Sequence, residues 1–132
     1  MIYSYTFKTI SDQRGTRLPI EALKEVPFDI KRTYYLFNLN KKPRGFHAHH
    51  KLQQMMICLN GSCKIKLDNG AEDPIEVFLD SPSQGIFIDK MIWHEMYEFS
   101  SNCIIAVLSS DYYDEKDYIR NYQDFGTLVK KL

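Results

Sequence analysis

Short stretches in which apolar and polar residues alternate run along most of this chain. Alternation with a period of two is typical of β-strands, because successive strand side chains point to opposite faces of a sheet. Turn residues separate the stretches, and Asn60-Gly61 joins two of them as in a β-hairpin. The predicted strands are Tyr3–Ile10, Ile30–Leu39, Gly45–His50, Gln53–Asn60, Gly61–Leu67, Pro74–Leu79, Gly85–Ile88, Trp93–Phe99 and Cys103–Ser109. This pattern predicts an all-β sandwich or barrel.

The tail from Asp114 to Leu128 follows a different period. Tyr118, Tyr122 and Phe125 recur at the spacing of one face of a helix. We therefore expect a short C-terminal helical segment that packs on the outside of the β-structure. Asp117-Tyr118-Ile119-Arg120 is interpreted as the start of that helix, with an acidic first turn and a structural role.

The size and charge of the chain narrow the possible partners. Its 132 residues predict one domain, residues 1–132. Seventeen basic and seventeen acidic residues cancel, which argues against nucleic acid or an anionic membrane as a partner. The start, Met1–Lys8, lacks the features of a signal peptide, and no apolar run has the length of a membrane span. We expect a cytoplasmic protein.

The cysteines fit that location. Cys58, Cys63 and Cys103 are odd in number and lie in apolar, strand-like stretches. They are predicted to be buried free thiols in a reducing compartment. Because the chain contains no Cys-x-x-Cys pair, a zinc site formed by these cysteines is not expected.

The segment richest in candidate functional residues is Arg44-Gly45-Phe46-His47-Ala48-His49. Two histidines one residue apart on a strand place both imidazoles on one face. A pair of neutral imidazoles suits either a metal ion or proton transfer. The alternative is that both histidines are structural. Arg44 and Lys51 nearby make that alternative the weaker one.

The spacing from Arg44–His49 to Gly61 resembles the first motif of the cupin superfamily. Metal-binding cupins carry Glu where this chain has Gln54, and a second motif supplies a further histidine at about the place of His94. A three-histidine metal site is therefore possible by count. An amide is a poor ligand for a hard divalent cation. We expect proton transfer by histidine, with no metal and no other cofactor.

The whole chain also resembles the dTDP-sugar 3,4-ketoisomerases, small cupins of the WxcM-like type. The segments that carry the resemblance are Asp12–Gly15, Pro27–Tyr35, Arg44–His49, Leu52–Gln54, Cys58–Cys63, Leu79–Pro82, Trp93–Met96 and Asp117–Arg120. The resemblance implies a jelly-roll cupin that converts dTDP-4-keto-6-deoxyglucose to a 3-keto isomer. It also implies a homodimer, and the N-terminal strand, Tyr3–Ile10, is the candidate for exchange between the two subunits. The product would supply a transaminase that makes amino sugars for surface glycans such as lipopolysaccharide.

Moving a carbonyl from C4 to C3 requires a base, a donor to the developing oxyanion and a proton shuttle. The resemblance implies that His49 is the base at C3. His47, on the same face, is our candidate for the group that protonates C4. Tyr35 is predicted to face inward and to pass a proton between the two oxygens, with Tyr34 as the alternative.

Four further side chains are candidates for contacts with the substrate. The resemblance places Arg14 in the site, where it would bind the sugar oxyanion or the pyrophosphate. Arg44 and Lys51 are predicted to neutralise the diphosphate, with a solvated rim as the alternative. Trp93 is predicted to stack on thymine or on the sugar. The alternative for Trp93 is a core or dimer contact.

Other functions remain open at this point. One is a metal-dependent cupin enzyme, such as a dioxygenase or isomerase, and another is a non-catalytic sugar-binding cupin. A 3,5-epimerase is disfavoured, because those related enzymes are longer and pair a histidine with an aspartate. The sequence does not define dTDP or UDP as the nucleotide, the C4 configuration of the product, or the division of roles between His47 and His49.

Overall fold

Two antiparallel β-sheets that pack face to face form most of the molecule, in a computed structural model that describes residues 1–132. The strands are β1 (Ser4–Thr6), β2 (Ile10–Asp12), β3 (Gly15–Arg17), β4 (Arg32–Leu36), β5 (Arg44–His49), β6 (Gln54–Asn60), β7 (Cys63–Asp68), β8 (Ile75–Leu79), β9 (Gln84–Ile88), β10 (Trp93–Tyr97), β11 (Ile104–Ser109) and β12 (Tyr118–Ile119). A 3₁₀ turn at Glu115–Asp117 precedes β12, and the helix α1 spans Tyr122–Val129.

The strand order is that of a jelly-roll-like sandwich. One sheet has the order β1-β9-β6-β11-β4, and the other has the order β12-β5-β10-β7-β8. Every pair of neighbouring strands in both sheets is antiparallel. The prediction of an all-β jelly roll with a short C-terminal helix is confirmed, although the two sheets do not close into a continuous barrel.

Strand β6 shows why one stretch of the sequence is apolar throughout, instead of alternating between apolar and polar residues. Met56 and Cys58 point into the core between the sheets. Met55 and Ile57 point the other way, into a second cluster that contains Phe28. Because both faces of this strand are covered, both sets of side chains are buried. Full burial of one such side chain contributes about 1.5–3 kcal/mol to stability.

The C-terminal tail covers the outer face of the second sheet, as predicted. Phe125 of α1 is fully buried with Trp93, Ala48 and Ile119. The helix begins later than expected, because its N-cap is Asn121, whose side chain accepts a hydrogen bond from the backbone N–H of Asp124. The interpretation of Asp117–Arg120 as the helix start is wrong. Tyr118 and Ile119 instead form β12, which pairs with β5.

The N-terminal segment divides where one strand was expected. Ser4–Thr6 forms β1 on the edge of the first sheet, paired with β9. From Ile10 to Arg17 the chain forms a separate hairpin, β2–β3, whose turn contains Arg14. Every residue of this hairpin is exposed. The only α-helix, α1, is too short to cross a membrane.

Candidate active site

A close crossing of β5 and β10 positions the histidines. Gly45 has a φ of 95° and Phe46 a φ of 59°, and the pairing register shifts beside them. A Cβ atom on Gly45 would lie 2.8 Å from the carbonyl oxygen of His94. Glycine is therefore required for the backbones to come this close. Beyond this irregularity, His47 pairs directly with His94 across the two strands.

Three imidazoles meet at this crossing. His47 and His49 share a face of β5, as predicted, with ring centroids 5.0 Å apart. The His94 ring lies 4.5 Å from that of His47 and 6.2 Å from that of His49. The Nδ1 atoms of His47 and His94 each contact a carbonyl oxygen of their own strand, Gly45 at 2.9 Å and Ile92 at 3.2 Å. These contacts fix both rings and leave Nε2 of each ring available for another partner.

The imidazoles of His47 and His94 border a cavity of about 590 Å³. Its wall includes His47, His94 and Tyr34, together with Tyr118 of β12. The cations Arg32, Arg44 and Arg120 also line it. The cavity therefore combines ring nitrogens and phenols with a cluster of positive charge.

His49 lies behind this wall rather than on it. Its side chain is 2% exposed, and its Nδ1 is 3.3 Å from Oδ2 of Asp117. These two atoms lie within the distance of an ion pair, but they are not aligned for a hydrogen bond. Neither ring nitrogen of His49 has a hydrogen-bond partner. Asp117 is itself held by the backbone N–H groups of Lys51 and Leu52, at 2.9 and 3.1 Å. A second cavity of about 160 Å³ adjoins His49 and Asp117 on this side.

All three imidazoles are neutral at physiological pH. Burial, and then the charge of His47, lowers the pKa of His49 to about 3. Burial lowers the pKa of His94 to about 3, and it also lowers the pKa of His47. Asp117 acts in the opposite direction on His49, because its carboxylate stabilises a protonated ring. Each ring can accept a proton, and only His49 has a carboxylate beside it.

Tyr34, not Tyr35, faces the cavity. The Tyr34 hydroxyl accepts a hydrogen bond of 3.0 Å from Nε2 of buried Gln54, and burial raises the pKa of this phenol. Tyr35 is 57% exposed on the opposite face of β4, beside exposed Phe37. The prediction that Tyr35 points inward is wrong. Strand β4 carries aromatic residues on both faces, so its pattern did not distinguish them.

Trp93 does not reach the cavity either. Its side chain is buried, its indole N–H donates to Oε2 of Glu95 at 2.9 Å, and its ring packs on Tyr122 and Phe125. The prediction that it stacks on the substrate is wrong, and the alternative of a core contact is right. Adjacent residues of β10 face opposite ways. With His94 pointing into the site, Trp93 must therefore point toward α1.

The three basic side chains that were predicted to contact the substrate lie in three different places. Arg44 lines the large cavity, as expected for a diphosphate contact. Lys51 is exposed and lines the smaller cavity. Arg14 lies at the exposed hairpin turn, paired with Asp12 at 2.6 Å, and does not reach the cavity of its own chain.

Several cavity residues were missed at the sequence level. The guanidinium of Arg32 lies over the rings of Tyr34 and Tyr113, and its Nε is buried without a partner. Asp117 and Arg120 were singled out in the sequence but given a structural role. Only the pairing of β12 with β5 brings them beside the histidines.

The donor set can be compared with a cupin metal centre. Ring nitrogens of His47, His49 and His94 lie within 4.8 Å of one another. Where a cupin metal site has a carboxylate, Gln54 presents an amide that is already bound to Tyr34. The residues therefore fit a three-nitrogen site but not the full cupin ligand set.

Comparison with known proteins agrees with the fold. The family FdtA, described as "WxcM-like, C-terminal", matches residues 2–130. A TDP-4-oxo-6-deoxy-alpha-D-glucose-3,4-oxoisomerase from Aneurinibacillus thermoaerophilus is 51% identical over 127 residues, 96% of this chain and 91% of that protein. A crystal structure of a 3,4-ketoisomerase from Helicobacter canadensis has a TM-score of 0.94 at 42% identity, and covers 98% of both chains.

A third relative was crystallised with a sugar nucleotide. QdtA, a 3,4-ketoisomerase from Thermoanaerobacterium thermosaccharolyticum, was solved as a histidine-to-asparagine variant with TDP-4-keto-6-deoxyglucose. It has a TM-score of 0.93 at 44% identity, over 97% of this chain and 93% of that chain. The fold and site thus define a small cupin of the sugar-isomerase class. This chain belongs to the FdtA (WxcM-like) family.

Proposed function

We propose that this protein is a TDP-sugar 3,4-ketoisomerase that acts on TDP-4-keto-6-deoxyglucose. The observation that carries the proposal is a cavity bordered by the neutral imidazoles of His47 and His94 and by a phenol, with arginines around it and the neutral imidazole of His49 behind its wall. Relatives of 42–51% identity are named for this reaction. The proposed location is the cytoplasm, and the proposed role is to supply a 3-keto sugar to a transaminase in dideoxy amino-sugar synthesis for surface glycans.

His49 is proposed as the base that removes the proton from C3. The imidazolium that forms needs a counter-ion, and Asp117 lies 3.3 Å from its Nδ1. His47 and His94 contact carbonyl oxygens instead of carboxylates. A general base of this kind contributes about 10²–10⁴-fold to the rate.

Side chains in the cavity wall are proposed to carry out the remaining proton transfers. Loss of the C3 proton leaves an enediolate with its negative charge on the C4 oxygen. Tyr34, held by Gln54, passes the proton of the C3 hydroxyl to that oxygen, which moves the negative charge to the C3 oxygen. His47, after taking up a solvent proton at its free Nε2, delivers that proton to C4, and the carbonyl forms at C3. His49 releases the proton it removed to solvent, so the isomerisation needs no external electron donor or acceptor.

The arginines are proposed to hold the diphosphate. Arg32, Arg44 and Arg120 all line the cavity, and a guanidinium fork suits phosphate oxygens. Arg120 is also bound by Glu115, through its Nε at 2.9 Å, which fixes the direction of its guanidinium. Lys51 remains a proposed contact only for a substrate that extends toward the smaller cavity.

A homodimer is proposed to complete the site. A two-stranded hairpin that packs on nothing is at best marginally stable in water. The hairpin β2–β3 is exposed along its whole length, which favours a second copy of the chain as its support. With the N-terminal segment packed on that copy, Arg14 would enter the partner's cavity. Light scattering should report a dimer, and a monomer at micromolar concentration would exclude this arrangement.

The decisive experiment follows the reaction in deuterated water by NMR. Wild-type protein with TDP-4-keto-6-deoxyglucose should yield a 3-keto sugar with deuterium at C4, and the spectrum defines the C4 configuration. His49→Asn should reduce turnover by about 10²–10⁴-fold. His50→Asn, at an exposed neighbouring position, is the matched control and should retain activity. No product from the wild-type protein would exclude the proposed function.

A metal-dependent cupin is the second candidate, because three imidazoles converge within 4.8 Å. It requires about one transition metal per chain and loss of activity with a chelator. Elemental analysis of the active protein separates the two candidates. A non-catalytic sugar-binding cupin instead predicts that His49→Asn changes affinity alone. The same assays with the UDP-linked sugar define the nucleotide.

A further inference from the structure

Three buried thiols converge in the core, away from the histidines. Cys58 lies in β6, Cys63 begins β7, and Cys103 immediately precedes β11. Their Sγ atoms all lie within 4.8 Å of one another, and those of Cys58 and Cys103 are 3.9 Å apart. Each residue is at most 2% exposed. Three separate segments thus supply sulfur atoms to one point.

This cluster is separate from the proposed active site. Gln54, Met56 and Cys58 follow one another on the same face of β6, and Met56 lines the substrate cavity. Two residues of strand advance about 7 Å, so Cys58 lies one layer deeper in the core. None of the cysteines lines the cavity of the imidazoles. A ligand of the thiols therefore leaves the substrate cavity free.

The geometry suits a three-coordinate ion that prefers sulfur. Bonds of about 2.3 Å to a three-coordinate centre place its sulfur atoms about 3.3 Å apart when the centre is pyramidal and about 4 Å apart when it is planar. The 3.9 Å between Cys58 and Cys103 lies in that range, and a pyramidal centre would draw the two sulfur atoms together by about 0.5 Å. Zinc needs a fourth ligand, and the buried cluster offers no position open to water. Soft thiolate ligands are also the set that selects thiophilic ions.

Charge decides which kind of ion fits. The surrounding core is apolar, and an uncompensated charge there is costly. The hydrogen bond with Cys63 lowers the pKa of Cys58 to about 7. The hydrogen bond with Cys58, together with burial, raises the pKa of Cys63. Burial raises the pKa of Cys103 to about 12. At most one thiolate is therefore present at neutral pH. When all three sulfur atoms bind as thiolates, a monovalent ion leaves a net charge of minus two and a divalent ion leaves minus one, whereas a trivalent centre leaves none.

We propose that Cys58, Cys63 and Cys103 form a binding site for trivalent arsenic. Arsenite reaches the protein as the neutral trihydroxide. Three arsenic–oxygen bonds break and three arsenic–sulfur bonds form. Each departing hydroxyl takes one thiol proton and leaves as water. Arsenic stays trivalent throughout, so no oxidant or reductant takes part. The product is neutral and joins β6, β7 and the segment before β11.

The test is native mass spectrometry and thermal unfolding of the full chain with sodium arsenite and a monothiol reductant. One arsenic atom should be gained for three hydrogen atoms lost, and the unfolding midpoint should rise by roughly 5 °C at saturation. No mass gain by the folded protein would overturn the proposal. A fall in the midpoint would also overturn it, because arsenite would then bind the unfolded chain preferentially.

Single substitutions test whether these three cysteines form the arsenic site. Cys58→Ser, Cys63→Ser and Cys103→Ser should each weaken binding by about 10²-fold, because one of three linked bonds is lost. The arsenic that remains bound should then keep one hydroxyl. His94→Asn removes a member of the imidazole cluster and should leave the mass gain unchanged. Retention of wild-type affinity by all three cysteine variants, or its loss in His94→Asn, would refute the assignment. The wild-type measurement tests the proposal even if a serine variant fails to fold.

Discussion

Tyr34 and Tyr35 are adjacent in the chain, yet only the first can take part in chemistry at the cavity. Tyr34→Phe removes the hydroxyl that Gln54 holds, and should lower kcat by about 10²-fold. Tyr35→Phe changes an exposed side chain on the other face of β4 and should leave kcat within about twofold. Steady-state kinetics of the two variants provides the check. Equal losses in both would show that Tyr34 is not the proton shuttle.

Asp117 is the residue whose role changed most between sequence and structure. Asp117→Asn keeps the shape but removes the charge that stabilises protonated His49, so kcat should fall by about 10–100-fold with little change in KM. Asp111 lines the same small cavity without contacting His49, so Asp111→Asn is the matched control. A change in KM alone would assign Asp117 to substrate binding. The pH profile of kcat should shift in the Asp117 variant and not in the control.

For single residues, the sequence predicted which side chains lie together better than it predicted which way a side chain points. The shared face of His47 and His49 followed from strand parity and is confirmed. Tyr35 was placed on the wrong face, because aromatic residues occupy both faces of β4. Trp93 was predicted to stack on the substrate, but its ring packs against α1. Strand parity fixes which residues lie together, but not which face of the strand meets the cavity.

The crossing of β5 and β10 is the element that assembles the imidazoles, and it depends on one glycine. Gly45→Ala would place a Cβ 2.8 Å from the His94 carbonyl oxygen, at a φ of 95°. We expect about 1–3 kcal/mol of destabilisation and a larger loss of activity, because both His47 and His94 move. Chemical denaturation and kinetics measure the two effects.

Gly126 provides the control for that substitution. It lies inside α1, and a Cβ there would meet nothing within 4 Å. Gly126→Ala should stabilise the protein by up to about 1 kcal/mol, since alanine favours the helix, with activity unchanged. If Gly45→Ala were as well tolerated as Gly126→Ala, the close approach of β5 to β10 would be irrelevant to the site.

Elements with a buried face were predicted well, and those without one were not. With the exception of β12, the strands of both sheets and the helix α1 each carry apolar residues at the period of their structure. The hairpin β2–β3 is exposed on both faces, so its residues show no such period, and neither of its two strands was predicted as such. Strand β12 is two residues long and depends entirely on its partner β5. Its pairing is a tertiary effect that a local pattern does not contain.

Over the whole molecule, the two buried neutral histidines, His49 and His94, make stability depend on pH. The pKa values of His49 and His94 are about 3 in the folded protein, below the ordinary value near 6.5. The unfolded chain therefore binds more protons below pH 6.5. Stability should be constant above that pH and fall toward pH 3, by up to about 1.4 kcal/mol per pH unit for each histidine.

Urea denaturation at a series of pH values measures this slope. His94→Asn should reduce it, while His50→Asn, at an exposed position, should not. A stability that stays constant as the pH falls from 6.5 to about 5 would show that the imidazoles are already protonated or solvated in the folded protein.

The exposed hairpin has a consequence for mixtures of chains. If Arg14 serves the cavity of its neighbour, two different inactive variants can complement each other. After unfolding and refolding together, Arg14→Ala and His49→Asn chains would form hybrids in which one of the two centres has every wild-type group. Half of the molecules would be hybrids, so about a quarter of the wild-type rate should return. Neither parent alone would show it.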